Sequence, residues 1–208
     1  MNKEIPYQEK RIIYRVFGSG KPVVLIHGFG EDGEIWKDKV EYLKNKFLLI
    51  VPDLPGSGKS EMIDDISMEG MAEVIKKIID KEAHLNPPQG GTLDSDTTIK
   101  QLSFEISESQ NPPLESQPRS IGGRKASHSG EFKVTLIGHS MGGYITLAFA
   151  EKYPEYLNAF GLFHSTAYAD TIEKKKTRMK GIEFINRNGS FGIFENDCIQ
   201  PFFYGIKK

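Results

Sequence analysis

The run Gly138-His139-Ser140-Met141-Gly142 stands directly behind the apolar stretch Val134-Thr135-Leu136-Ile137, and few five-residue patterns restrict a fold more. A serine with glycines two places before and two places after it matches a sharp, strained turn between a buried strand and a helix. Bulk at either glycine would collide with the backbone of that turn. The pattern therefore predicts a strand ending near Ile137, a helix starting at Met141, and the Ser140 hydroxyl pushed out between them.

Other segments repeat the alternation. Pro22-Val23-Val24-Leu25-Ile26, Phe47-Leu48-Leu49-Ile50-Val51 and Ala159 to Phe163 are short continuous apolar runs, as expected of strands covered on both faces. Arg11 to Phe17, rich in β-branched and aromatic residues, reads as a further strand closed by Gly18-Ser19-Gly20. Between the runs, Trp36, Val40 and Leu43, then Met68, Met71, Ile75, Ile78 and Ile79, then Tyr144 to Tyr153, carry helical spacing. Strand alternating with helix predicts an α/β fold with a mostly parallel sheet flanked by helices. Thr171 to Asn188 reads as one amphipathic helix stopped by Gly189.

The segment 84–130 breaks this rhythm with Pro87-Pro88, Gly90-Gly91, Pro112-Pro113, Gly122-Gly123 and many serines. It is expected to be a low-complexity, disordered insert in a core formed by 1–83 and 131–165. The 27 basic and 28 acidic residues are mixed along the chain, which provides neither a basic face for nucleic acid nor a polybasic membrane anchor. No apolar stretch approaches the roughly 20 residues needed to cross a bilayer. Cys198 is the single cysteine and the N-terminus lacks a signal-peptide core, so a soluble, cytoplasmic protein is expected.

Acyl transfer by a serine needs a nucleophile, a histidine base, an acid that orients the base, and backbone N–H donors for the oxyanion. Ser140 supplies the first. His27-Gly28-Phe29-Gly30 follows the strand at Val23 to Ile26, and its glycines allow a turn that directs the Phe29 N–H toward a carbonyl oxygen. The Met141 N–H, at a helix start, is the second donor candidate. His27, Gly28, Gly138 and Gly142 are expected to shape the site.

Taken together, the His-Gly-Phe loop, the loop Asp53-Leu54-Pro55-Gly56-Ser57-Gly58-Lys59-Ser60, Gly138-His139-Ser140-Met141-Gly142-Gly143 and Phe163-His164-Ser165-Thr166-Ala167-Tyr168-Ala169-Asp170 resemble the α/β-hydrolase superfamily, most closely its small bacterial esterase-like members with a helical cap. The resemblance implies hydrolysis of an ester or similar acyl bond in a small-molecule substrate, with no metal and no organic cofactor. It implies a partial helical cap over 166–208 and a sheet incomplete at its C-terminal side, the last strands missing. In the family's order the acid and then the base follow the serine. The five histidines are His27, His84, His128, His139 and His164, and neither of the two near or after Ser140 stands where the base is expected. Asp170 and Asp197 read as solvated surface acids. The chain is therefore expected to be inactive or very weak by itself, a truncated hydrolase whose open sheet edge favours self-association. The alternative is a non-catalytic relative that binds an acyl ligand or a protein partner. A third reading takes Gly28-Phe29-Gly30-Glu31-Asp32-Gly33, with Asp53 about 20 residues on, as a dinucleotide loop. Glu31, Asp32 and Glu34 would repel the pyrophosphate there.

Overall fold

The apolar runs assemble as parallel neighbours at the centre of one sheet. In a computed structural model that describes residues 2–86 and 132–189, six strands stand in the order β1-β2-β4-β3-β5-β6. They are β1 (Asn2–Tyr7), β2 (Lys10–Phe17), β3 (Lys21–Ile26), β4 (Phe47–Pro52), β5 (Val134–His139) and β6 (Leu157–Phe163). β3 pairs in parallel with β4 and β5, and β5 with β6, whereas β2 runs antiparallel to β4 and to β1. The insert expected over 84–130 lies outside the described residues beyond Asn86, as do His128, Asp197, Cys198 and the tail from Phe191 to Tyr204.

Successive side chains of a strand face opposite sides, and each side of this sheet acquires its own cover. Val23, Leu25, Leu49 and Val51 meet Trp36, Val40 and Leu43 from helix α1 (Lys37–Leu43) and the 3₁₀ turn before it. On the other face, Val24, Ile26 and Ile50 meet Ile75, Ile78 and Ile79 of α2 (Met68–Leu85) and Ile145 and Phe149 of α3 (Met141–Lys152). The result is a sheet between two helical layers, with both faces dry at the centre. Helix α2 starts where the Ser67 hydroxyl accepts from the Gly70 N–H at 3.0 Å.

β1 has no counterpart among the elements expected from sequence. It is an edge strand and so tolerates Pro6, whose missing N–H costs little there. Its turn to β2 runs through Gln8 and Glu9, both at positive φ (48° and 63°). Two-residue hairpin loops demand that conformation but signal it through Gly or Asn, and neither is present.

The chain divides after Ala167. In the second unit, helix α4 (Ile172–Asn188) is capped by Thr171, whose hydroxyl accepts from the Lys174 N–H. It stops at Gly189, at φ 74°, whose N–H donates to the Ile185 carbonyl at 2.8 Å. Asp170 pairs with Arg178 rather than remaining a bare surface acid. Ile172, Met179 and Ile182 are exposed. Among the described residues no helix is long and apolar enough to cross a membrane.

One buried charge fastens the hairpin to α2. Glu82 has no exposed surface, and its carboxylate accepts from Lys3 Nζ (2.8 and 2.9 Å), Tyr14 OH (2.7 Å) and Asn86 Nδ2 (3.2 Å). Burial, and then the hydrogen bond to this carboxylate, push the Tyr14 hydroxyl pKa upward. Glu82→Ala would strand the Tyr14 hydroxyl and the Lys3 ammonium together. A loss of about 2–4 kcal/mol is expected in urea unfolding, with Glu82→Gln losing less.

Candidate active site

β3, β4 and β5 end at the same edge of the sheet, and their C-terminal loops meet there, the place where open α/β sheets bind ligands. Ser140 occupies the turn from β5 into α3 with φ 51° and ψ −115°, a backbone conformation that costs on the order of 1–3 kcal/mol for a residue with a side chain. Its N–H donates to the Phe163 carbonyl at 2.9 Å, which ties the turn to the end of β6. Serine at a helix start ordinarily caps an N–H of the first turn; the Ser140 side chain does not. Its hydroxyl makes no hydrogen bond among the described residues.

The glycines around Ser140 are required by proximity, not by dihedral angle, since neither Gly138 nor Gly142 has positive φ. A Cβ on Gly138 would lie 2.2 Å from the Gly142 carbonyl oxygen, and one on Gly142 would lie 2.6 Å from the carbonyl oxygens of Ile26 and His27. Gly28 follows the same logic: its Cβ would come within 3.0 Å of Ser140 Cβ and 2.8 Å of Glu31 Oε2. The turning expected of the loop glycines belongs to Gly30 alone, at φ 72°. The loop after β3 therefore lies directly against the serine turn.

His27 is fully buried and has a structural place in this loop. The Leu54 N–H donates to its Nε2 at 2.9 Å, leaving the ring proton on Nδ1, which donates to the Gly28 carbonyl at 2.8 Å. Burial pushes its pKa down despite the carbonyl contact and nearby acids. The Gly28 carbonyl and the Phe29 N–H belong to one trans peptide and point in opposite directions, so His27 turns that N–H away from its own ring. No acceptor for the Phe29 or Met141 N–H is present among the described residues. The Phe29 side chain is 66% exposed.

Two carboxylates complete the frame. Asp53 is buried and accepts from Arg15 (3.0 Å), the Gly33 N–H (3.0 Å) and the Lys59 N–H (3.2 Å). The Ser60 hydroxyl donates to the Asp53 carbonyl at 2.7 Å and accepts from the Ile13 N–H at 2.9 Å. Glu31 Oε2 accepts from the Gly28 N–H at 2.7 Å and from His139 Nδ1–H at 2.9 Å. These bonds occupy two of the amides that a pyrophosphate would need. The segment after Gly33 is a short 3₁₀ turn, not the long helix of a dinucleotide loop.

His139 and His164, the histidines beside and after Ser140 in sequence, make no hydrogen bond to its hydroxyl. The His139 ring packs edge-on to Trp36 with centroids 6.3 Å apart, and His164 stacks on Phe163 at 4.2 Å. Sequence reasoning missed Glu31 as a site residue, having read it only as a charge hostile to phosphate.

A model of the alpha/beta hydrolase family matches residues 23–194. The chain belongs to the alpha/beta hydrolase family. Among curated relatives, it is 35% identical over 85 residues to a pimeloyl-[acyl-carrier protein] methyl ester esterase of Legionella pneumophila, covering 41% of this chain and 35% of that protein. It is 42% identical over 67 residues to the enzyme of the same name from Methylococcus capsulatus, covering 32% of this chain and 26% of that one. Among solved structures of the family's fold, a thermophilic esterase from Thermogutta terrifontis superposes with a TM-score of 0.57 at 28% identity, over 94% of this chain and 57% of the esterase. An epoxide hydrolase at 19% identity superposes with a TM-score of 0.61, over 94% of this chain and 56% of that one, a likeness of fold alone. The chain thus spans little more than half of these structures and about a third or less of the first two curated relatives.

His27 also makes stability depend on pH. Its folded pKa lies below its ordinary value, so around and below pH ~6.5 the unfolded chain binds more protons than the folded one. Its contribution is intact above that pH and is lost as pH falls toward the folded pKa. His27→Gln is expected to be less stable at pH 7.5 yet to lose less between pH 7.5 and 5.5 than the unaltered chain, measured by urea unfolding.

Proposed function

We propose that the chain acts on a carboxylic ester or similar acyl bond through Ser140, with the Phe29 and Met141 N–H groups as oxyanion donors. In this reading Oγ attacks the carbonyl carbon, the alcohol leaves, and the hydroxyl proton passes to a base and then to the leaving oxygen. The carrying observation is Ser140 itself: a serine at φ 51°, its hydroxyl free of the cap, facing a glycine loop whose Cβ would be 3.0 Å from its own. The esterase relatives favour an ester over an epoxide, which is supported only by fold.

His27, Gly28, Gly138 and Gly142 shape this site by permitting close approach. A base is what the described residues lack at the Ser140 hydroxyl. The chain by itself is therefore proposed to hydrolyse esters slower than an ordinary esterase by on the order of 10⁴-fold. Added imidazole supplies a mobile base. It should raise p-nitrophenyl butyrate hydrolysis by this chain well above the rate of a Ser140→Ala variant in the same imidazole, which measures the uncatalysed background. Equal rates in the two would remove the serine assignment; a full esterase rate without imidazole would remove the missing-base assignment.

A second reading, a non-catalytic chain that self-associates, is favoured by β6. This edge strand is only half-buried where β4 at the centre is buried throughout, and Phe160 on it is 48% exposed. Sedimentation velocity reads it directly: concentration-dependent dimer, weakened by Phe160→Glu, supports this reading, and monomer throughout removes it.

A further inference from the structure

The acyl-transfer reading leaves open what keeps the Phe29 loop against the serine turn, since the loop is glycine-rich and Phe29 is exposed. We infer that Glu31 is a positioning residue that fastens this loop to the nucleophile turn through His139. The inference rests on the proposed role of Ser140 but has a readout of its own.

The linkage runs through one carboxylate oxygen. Glu31 Oε2 holds the Gly28 N–H at 2.7 Å and His139 Nδ1–H at 2.9 Å. Gly28 immediately precedes the candidate oxyanion donor, and His139 immediately precedes the candidate nucleophile. A single atom thus bridges the two backbone segments whose separation sets the distance between nucleophile and oxyanion donor. The ends of the bridge are rigid. The His139 ring is held by Trp36, by Phe163 at a centroid distance of 5.6 Å and by His164 at 5.6 Å. At the other end, the Gly28 carbonyl is fixed by His27. The side chains of Glu31 and His139 are only 23% and 15% exposed, so water competes weakly for these bonds. A group 1 Å out of place can cost about 10²-fold in rate, so a bond that sets this spacing acts on kcat without touching substrate.

Three variants of the full chain test this, assayed by imidazole-driven, Ser140-dependent ester hydrolysis. Glu31→Ala is expected to lower kcat by about 10- to 100-fold with KM within about twofold, because ground-state binding does not use the oxyanion donors. Glu31→Gln retains an oxygen that can accept both N–H groups and should stay within about threefold of the unaltered chain. His139→Ala should resemble Glu31→Ala, and the double variant should be no worse than either, since both cut the same bridge. Independently of activity, the Gly28 amide proton should exchange with solvent at least about tenfold faster in Glu31→Ala. Unchanged kcat and unchanged exchange in Glu31→Ala would overturn the inference, as would Glu31→Gln falling as far as Glu31→Ala. If the unaltered chain shows no Ser140-dependent rate, the hydrolase reading fails, and Gly28 exchange alone then decides whether Glu31 holds the loop.

Discussion

Helix α3 begins as a naked backbone pressed onto the end of β3. Gly142 lies so close to the carbonyls of Ile26 and His27 that a methyl group would stand 2.6 Å from either oxygen, well inside van der Waals contact. The first turn of the helix can therefore reach the sheet only where the side chain is absent. The same condition holds at Gly138, against the Gly142 carbonyl, and at Gly28, against Ser140. Three missing side chains let the loop after β3, the end of β5 and the start of α3 occupy one small volume. The strained dihedral angles of Ser140 follow from it: the chain must reverse from strand to helix within one residue, and the packing on both sides leaves no gentler path.

Such a junction removes apolar cover from the strand ends, and polar groups take its place. Buried backbone amides must be paired, and here the pairing comes from side chains reaching across loops. His27 joins the loop after β3 to Leu54 beyond β4. Asp53 collects Arg15 of β2 with the Gly33 and Lys59 amides, and Ser60 returns to β2 through Ile13. Glu31 joins the β3 loop to β5 through His139. These connections are mutually supporting, since each fixes a loop from which another departs. Among the described residues the Ser140 hydroxyl and the Phe29 and Met141 amides have no partner, and they are the groups with a proposed chemical role.

The sheet was legible because its central strands are buried on both faces. Continuous apolar runs at Val23, Phe47 and Val134 have few other ways to fold, and the serine pattern adds the position of a helix start. β1 was invisible for the opposite reason: it is an edge strand containing Pro6, followed by a Gln8-Glu9 turn whose positive φ angles have no glycine to announce them. At the site, Ser140 and its glycines could be read because they form one contiguous five-residue pattern, even though Gly142 is needed against the distant carbonyls of Ile26 and His27. Glu31 could not, because its importance lies in a contact with His139 across 108 positions of sequence, and nothing in the spacing of two polar residues predicts such a meeting. The acids near Gly28 looked like an obstacle to phosphate; in the fold, one of them, Glu31, accepts from the Gly28 N–H.

Preorganisation and proton transfer are separable in acyl transfer. The proposed oxyanion donors and the bent serine are backbone features, set where the strand ends close around the glycines, and they demand no base for their formation. A base is a side chain, and placing it is a separate requirement. Among the described residues every histidine near the turn is committed: His27 to two backbone groups, His139 to Glu31 and an aromatic cluster, His164 to the face of Phe163. Using His27 or His139 as a base would break a hydrogen bond that shapes the site, so the strained and crowded turn at Ser140 is held by bonds that a base at either position could not share.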